Sequence, residues 1–203
     1  MPLCISGQRV RQHTVRPRRG PLKLLLSHVA SPIGMIVLIT DGEALRALEF
    51  QDHEPRMHRL LRQQYGSYVL TPIRDAGEPR RGIGAYFDGD VAALDRLAVQ
   101  MAGTEFQRLV WVELRRIPAG TTTTYGQLAA RIGRAKASRA VGLANGANPV
   151  AIVVPCHRVV GADASLTGYG GGLERKAWLI AHERRYAVIG DESKREKESS
   201  GAS

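Results

Sequence analysis

The amino-acid sequence predicts an α+β protein in which a small antiparallel sheet with helices precedes a mostly helical half that contains a helix-turn-helix. Short runs of Ile, Val and Leu between turn residues fill 22–50, whereas apolar residues three or four positions apart dominate from 104 onward. The 203 residues suffice for one or two domains. The predicted segments are a basic, disordered arm at 1–20, an α+β domain at 21–103, a C-terminal domain at 104–190 and a disordered tail at 191–203.

The composition excludes several classes of protein. Hydrophobic residues make up 43% and charged residues 24% of the chain, as in globular proteins. No apolar run is long enough to span a bilayer and no signal-peptide stretch precedes Pro21, so we expect a cytoplasmic protein. With only Cys4 and Cys156, neither a disulfide framework nor a zinc site of four thiols can form, and we expect no cofactor.

The net charge of +10 is concentrated in two places. Residues 1–20 carry five basic and no acidic side chains, and residues 104–190 carry 12 basic and five acidic ones, whereas 21–103 is nearly neutral. Clustered Lys and Arg release counterions from phosphate groups, so this pattern favours a polyanionic partner. On charge alone, a solvated Arg-rich surface is an equal alternative.

Strands alternate with tight turns in the first half of the chain. Pro32-Ile33-Gly34 and Asp41-Gly42 are turn sequences flanked by aliphatic residues. Two later segments space their apolar residues three or four apart, as amphipathic helices do. The predicted strands are 24–26, 35–39 and 45–50, and the predicted helices are 56–65 and 79–87.

A capping box opens the second half. Thr104 precedes Gln107 by three residues, and the side chains of such a pair bond each other's backbone amides at a helix start. The helix is expected to bury one apolar face and to end before Pro118 and Gly120. That face comprises Phe106, Leu109, Val110, Leu114 and Ile117.

Two shorter helices follow, joined by a turn that contains glycine. Thr124 is placed to cap a helix over 125–132, and Ser138 is placed to cap a helix that runs to about Asn145. The pair forms a helix-turn-helix, with Arg139 near the start of its second helix. Helix hairpins are also common scaffolding, so this pattern gains weight only with the motif that follows.

A continuous apolar run at 151–154 predicts a buried strand that leads into Pro155-Cys156-His157-Arg158. The motif places a thiol at the end of a rigid element. Basic neighbours favour the thiolate, which is the nucleophilic form of cysteine. The alternative is an inert buried cysteine that acts as a small hydrophobic residue.

His157 is the candidate base for this thiol. Adjacent residues of an extended chain point to opposite sides, so a water or a backbone kink must connect His157 to Cys156. Glu183, in the amphipathic segment 173–183, is the candidate for orienting the imidazole, and Asp163 is its competitor in a loop. Without the motif, Glu183 would be interpreted as a solvated carboxylate at a helix end.

These residues together form an extended motif. It reads Asn-Pro-Val-Ala-Ile-Val-Val-Pro-Cys-His-Arg-Val-Val-Gly over 148–161, then Thr-Gly-Tyr-Gly-Gly-Gly-Leu over 167–173 and Trp-Leu-Ile-Ala-His-Glu over 178–183. With Phe106-Gln-Arg, Tyr125-Gly-Gln-Leu-Ala and Arg139-Ala-Val-Gly, it resembles the O6-alkylguanine-DNA alkyltransferases, also called methylated-DNA-protein-cysteine methyltransferases. The resemblance covers essentially 104–183 and, more loosely, 22–103.

The resemblance implies a function in DNA repair. Cys156 would take an alkyl group from O6 of a damaged guanine in double-stranded DNA, with O4 of thymine as a second candidate position. Hydrolysis does not readily cleave the thioether product, so each molecule is expected to react once. The protein is also expected to be a monomer. The damaged base would be flipped out of the duplex through the minor groove.

The resemblance also implies roles for individual residues. The catalytic set is Cys156, His157, Glu183 and Asn148; the DNA-binding set is Arg139, as a finger that fills the vacated space, Tyr125 and Ser138; the guanine pocket is lined by Val159, Tyr169 and Gly170. Some relatives carry a side chain at the position of Gly170 and a structural zinc in the N-terminal domain. The zinc ligands are missing from this sequence, so no metal is expected.

Three other functions fit parts of the sequence. A non-catalytic alkyltransferase-like protein would bind the lesion without a reactive thiol, which the presence of Cys156 argues against. A helix-turn-helix regulator explains the charge and the helix pair, but not the cysteine motif or the glycine loop. A Cys-His hydrolase usually takes its histidine from a distant segment.

Overall fold

The computed structural model describes residues 20–200, with side chains described as far as Ala187. The predicted arm at 1–20 therefore lies outside the described residues except for Gly20. The predicted α+β class is confirmed. The first half contains β1 (Leu22–Ser31), β2 (Gly34–Thr40), β3 (Leu45–Phe50), α1 (Glu54–Tyr65), β4 (Tyr68–Pro72) and α2 (Glu78–Phe87).

The sheet has the order β3-β2-β1-β4. The predicted turns close both hairpins, because Ser31 pairs with Gly34 across Pro32-Ile33, and the side chain of Asp41 accepts the amides of the turn before β3. The neighbours in β1 to β3 are antiparallel, as predicted. Strand β4, which the sequence analysis did not predict, adds to β1 in parallel. The five residues of β4 follow α1, which connects β3 at one edge of the sheet to β4 at the other. A run of five residues shows too little hydrophobic periodicity to predict a strand.

The second half contains α3 (Glu105–Leu114), β5 (Thr123–Thr124), α4 (Tyr125–Arg131), α5 (Ser138–Gly146), β6 (Val159–Val160) and α6 (Leu173–Ser200). Thr104 with Gln107, and Thr124 with Gln127, form complete capping boxes at the starts of α3 and α4. Helices α3 and α4 therefore both start where the sequence predicts. The predicted pair of short helices, α4 and α5, is also present.

The structure corrects two details of these helices. Ser138 is the first residue of α5 and not its cap; Ala137 occupies the cap position, with no side-chain hydrogen bond. A tight turn, in which the Ala137 amide donates to the carbonyl of Arg134, precedes the helix, which starts one residue earlier than predicted. On α3, Leu109 is 47% exposed, and the buried face is shifted away from it to include Trp111.

The segment 151–154 is buried as predicted, but it is not a strand. It forms consecutive turns, and Ile152 has a φ of 68°, a backbone conformation that a strand excludes. Its backbone is anchored to the sheet where the amide of Ala151 donates to the carbonyl of Leu48 in β3. A β-branched apolar run indicates burial, and here local turns satisfy the backbone of the buried chain.

One buried cluster joins the two halves of the chain. It includes Leu38 and Leu48 of the sheet together with Trp111 and Leu128 of the helices. The division at 103/104 stays a prediction, because residues on both sides of it share this core. A smaller cluster packs α1 on the other face of the sheet.

The last helix also differs from the prediction. It continues to Ser200, through most of the range 191–203 in which a disordered tail is predicted. Six of the ten residues at 191–200 are Glu, Lys or Arg, and all three types have high helix propensity. None of the helices described is both long and apolar enough to cross a membrane.

Candidate active site

Cys156 begins a short 3-10 helix (Cys156–Arg158) that follows the buried turns, and only 6% of it is exposed. Asn148 holds its thiol: Nδ2 of Asn148 donates to Sγ at 3.2 Å and to the carbonyl of Val154 at 2.8 Å. The amide of Val150 donates in turn to Oδ1 of Asn148 at 3.0 Å. Both ends of the Asn148 amide are therefore occupied, and the sulfur has a fixed donor.

The environment of Cys156 favours the neutral thiol at rest. Burial raises the pKa of the Cys156 thiol, and the hydrogen bond from Asn148 and the positive charge of Arg56 offset this only in part. A thiol is a poor nucleophile compared with its thiolate. A reaction at this sulfur therefore requires a nearby base that removes the proton.

The structure brings His157 and Glu183 together, as the sequence analysis expects. Nε2 of His157 lies 2.8 Å from Oε1 of Glu183, and both side chains are buried. Arg158 donates to both oxygens of the carboxylate, at 2.8 and 2.9 Å, and the Tyr86 hydroxyl donates to Oε1 at 3.0 Å. Asp163, the competitor, is exposed and bonds Ser165 instead.

These contacts fix the charge of Glu183. Burial alone would favour the neutral acid, but His157 and Arg158 outweigh it and hold the pKa of Glu183 well below its usual range. The carboxylate is therefore ionised at neutral pH. It accepts every hydrogen bond made to it, including one from the amide of Gly120 at 3.2 Å.

The imidazole of His157 is neutral and presents one free nitrogen. Burial lowers the pKa of His157, and the Glu183 carboxylate reverses this only in part. With Nε2–H donated to Glu183, Nδ1 carries a lone pair, and it is buried without a hydrogen-bond partner in the described part of the chain. No hydrogen bond joins this ring to Sγ of Cys156 among the described residues. The nitrogen can accept a proton that reaches it by a relay.

The glycine-rich loop 168–172 lies beside this chain of residues. The ring of Tyr169 meets the ring of His157 edge-on, with centroids 6.3 Å apart. Lys176 ties the loop to β6, because its Nζ donates to the carbonyls of Val159 and Thr167, both at 2.6 Å. Tyr125 reaches the same loop, since its hydroxyl donates to the carbonyl of Thr167 at 3.3 Å.

Helix α5 connects the exposed basic surface with the thiol. Arg139 and Ser138 are exposed at its start, while Asn145 near its end donates to the carbonyl of Cys156 at 3.3 Å. The seven residue steps from Ser138 to Asn145, at about 1.5 Å each, separate these two residues by about 10.5 Å along the helix axis. No acidic residue occurs between Glu113 and Asp163, so the segment that forms α4 and α5 contributes no negative charge to this surface.

Several residues of the site were missed by the sequence analysis. Asn145 and Lys176 are buried polar side chains on helices, and Tyr86 comes from α2 in the first half. The sequence predicts Arg158 only as a basic neighbour of the thiol, although its position in the cysteine motif is a signal. Arg56, which lies in α1, had no signal in the sequence beyond its charge.

Comparisons with known proteins show which family this chain resembles. Residues 105–185 match the family model described as the DNA-binding domain of 6-O-methylguanine DNA methyltransferase. The chain is 46% identical over 165 residues to a methylated-DNA-protein-cysteine methyltransferase of Salmonella typhimurium, covering 80% of this chain and 96% of the relative. A relative with the same description from Mycolicibacterium paratuberculosis is 46% identical over 159 residues, covering 78% and 92%.

A solved structure also resembles the chain. It is the Mycobacterium tuberculosis protein OGT in complex with DNA, with a TM-score of 0.67 and 38% sequence identity. The similarity covers 80% of this chain and 94% of that one.

Proposed function

The chain belongs to the methylated-DNA-protein-cysteine methyltransferase family, and we propose that Cys156 is the residue that accepts the alkyl group, from O6 of guanine in duplex DNA. The family's activity is DNA repair by alkyl transfer to cysteine, and DNA is the partner of this chain. One observation carries the choice of residue: Sγ of Cys156 accepts a hydrogen bond from Asn148, and the next residue, His157, pairs with the buried Glu183.

The transfer is balanced by moving one proton. Sγ attacks the alkyl carbon, the new S–C bond forms, and the bonding pair of the C–O6 bond leaves with guanine. The thiol proton passes to Nδ1 of His157 through a bridging water, and guanine leaves as its anion; solvent then carries the proton from the imidazolium to guanine, so that one proton moves from the thiol to guanine overall. Glu183 stabilises the positive imidazole that results. The products are an S-alkyl cysteine and an unmodified guanine.

Each molecule reacts once. The thioether at Cys156 has no leaving group that hydrolysis can use, and the only other cysteine of the sequence, Cys4, lies outside the described residues. The chain acts as a monomer and is consumed in proportion to the lesions that it repairs.

Access to O6 requires the damaged base to leave the duplex, at an unstacking cost of a few kcal/mol. Arg139 fills the vacated space, Ser138 contacts the backbone beside it, and Tyr125 contacts the flipped nucleotide. Val159, Tyr169 and Gly170 line the pocket for the base. The support for these roles is that Arg139 and Ser138 are exposed, while Tyr125 bonds the glycine-rich loop.

The test uses duplex DNA with O6-methylguanine that carries a labelled methyl group. We expect label to reach the protein in a ratio of one to one, on the peptide that contains Cys156. Cys156→Ser should abolish transfer and leave DNA binding intact, since a neutral hydroxyl is a poor nucleophile of similar size. Cys4→Ser is the matched control and should transfer normally.

Two results would contradict the proposal. Label retained by Cys156→Ser would place the acceptor elsewhere. Tight binding of the lesion by the unchanged protein, with no label transferred, would favour the non-catalytic lesion-binding function.

A further inference from the structure

Arg56 connects the first half of the chain to the active site. Its guanidinium, on helix α1, pairs with the buried carboxylate of Glu49 at the end of β3. The same group donates through Nη2 to the carbonyls of Gly146 and Asn148, at 2.7 and 3.2 Å. Only 16% of the Arg56 side chain is exposed, so these partners replace most of its water.

Asn148 carries this contact directly to the thiol. Its carbonyl accepts from Arg56, and its side chain donates to Sγ of Cys156. Strand β3 supports the same turn, because the amide of Leu48 donates to the carbonyl of Pro149 at 2.9 Å. Any movement of Arg56 therefore reaches the residue that holds the sulfur.

The guanidinium also lies against the glycine-rich loop. A Cβ atom placed on Gly170 would stand 2.7 Å from Cζ and 2.9 Å from Nε of Arg56. The next residue, Gly171, packs in the same way against the ring of Phe50, the neighbour of Glu49. The space beside Gly170 is therefore filled by an arginine that belongs to the other half of the chain.

We propose that Arg56 is a positioning residue for alkyl transfer: its guanidinium fixes the Asn148 turn relative to the loop at Gly170, and so sets the distance between the thiol and the wall of the pocket. This inference rests on the proposed role of Cys156. Arginine suits this role because its planar guanidinium donates to several acceptors at once in a fixed geometry. The compact ammonium of lysine cannot reproduce that geometry. A displacement of about 1 Å at a reacting centre lowers rates by up to about 100-fold.

The main test measures single-turnover transfer from a duplex that carries O6-methylguanine. Glu49→Gln combined with Arg56→Met removes the clamp without leaving a buried charge unpaired. We expect the maximal rate to fall by about 10-fold to 100-fold, with the half-saturating concentration of duplex unchanged. Arg56→Lys, which keeps the charge beside Glu49 but loses the fork, should also be slow and covers the case in which the double variant does not fold.

Arg46→Ala is the matched control. Arg46 forms a similarly covered pair with Asp41, its Nε donating at 2.9 Å, at the far end of β3. Its loss should leave the transfer rate unchanged. Wild-type rates in both Arg56 variants would overturn the inference, as would a change confined to the half-saturating concentration.

A second measurement separates positioning from general support of the fold. In the wild-type background, Gly170→Ala should push the guanidinium aside and slow transfer. In the Glu49→Gln, Arg56→Met background the same change should slow transfer by a smaller factor than in the wild-type background, because the guanidinium that it displaces is absent. Additive losses would overturn the geometry proposed for Arg56. An unchanged protein that puts no label on Cys156 would contradict the proposed function, whereas normal labelling with unaffected Arg56 variants would contradict this inference alone.

Discussion

His157 and Glu183 are joined by a 2.8 Å contact between Nε2 and Oε1, and both groups are buried. This contact decides which nitrogen of the imidazole is free. Since Nε2 donates to the carboxylate, Nδ1 is the nitrogen that can accept a proton from the side of Cys156. The direction of proton transfer is therefore set by a carboxylate 26 residues away in the sequence.

The pH dependence of transfer should follow His157. Because burial lowers its pKa, Nδ1 should stay able to accept a proton at pH values below about 6.5, the usual histidine value. We expect the single-turnover rate to hold down to that pH and to fall only in more acidic buffer. His157→Gln should remove this limb of the profile and slow transfer at all pH values. A rate that already halves near pH 7 in the unchanged protein would contradict a neutral, buried base.

Glu183 should stabilise the fold above mildly acidic pH. Its pKa in the folded chain is depressed, so its contribution is fully present above the unfolded value of about 4.3 and is lost as the pH falls towards the folded value. Thermal unfolding followed from pH 7 to pH 2 should show a midpoint that decreases below about pH 4.

Glu183→Gln should lower the midpoint at neutral pH and weaken its decrease in acid, because Arg158 loses a charged partner in a buried site. Glu174→Gln, an exposed change on the same helix, is the control and should leave the profile as it is. A Glu183→Gln profile that runs parallel to that of the unchanged protein would show that another group causes the acid transition.

The sequence predicted what depends on local signals. The capping residue Thr104 and the turn at Pro32 act within a few residues, and both were located correctly. The family motif likewise predicts Cys156 as the acceptor, because the residues around it are contiguous in the sequence; this stays a prediction. From the apolar run at 151–154, burial was predicted correctly but the backbone conformation was not. Ile152 takes a left-handed conformation that β-branched residues rarely adopt.

Contacts between distant segments could not be predicted in the same way. Arg56 bonds the carbonyl of a residue 92 positions later, and Tyr86 bonds a carboxylate 97 positions later. An arginine on an amphipathic helix is interpreted as solvated unless its partner is known. These contacts depend on how the sheet packs against α5 and α6, which no local pattern encodes.

The N-terminal arm should affect DNA affinity and not the chemistry. Deleting residues 1–20 removes five positive charges, so duplex binding should weaken and depend less steeply on salt concentration. Transfer from saturating duplex should persist at the same maximal rate. Binding measured at several salt concentrations, beside a thermal scan, checks this. A lost thermal transition would show that the arm is structural.

Arg139 distinguishes base flipping from a solvated surface. If Arg139 fills the space left by a flipped guanine, Arg139→Ala should slow transfer from duplex DNA, because the extruded state loses a stabilising contact. The free base O6-benzylguanine needs no flipping, so its reaction with Cys156 should be nearly unchanged. Both rates are measured on the same purified variant, with Arg131→Ala, another exposed basic change in the helix-turn-helix, as the control.

The ratio of the transfer rate on duplex DNA to that on free O6-benzylguanine distinguishes the possible roles of Arg139. Removal of a phosphate contact alone weakens duplex binding and is recovered at saturating duplex, so Arg131→Ala should keep its maximal rate. A finger acts after binding, so the loss in Arg139→Ala should persist at saturation. An equal loss on duplex and free base would instead make Arg139 a support of the fold or of the thiol. No loss on either, within the ~0.5 kcal/mol typical of surface substitutions, would leave Arg139 as a solvated side chain.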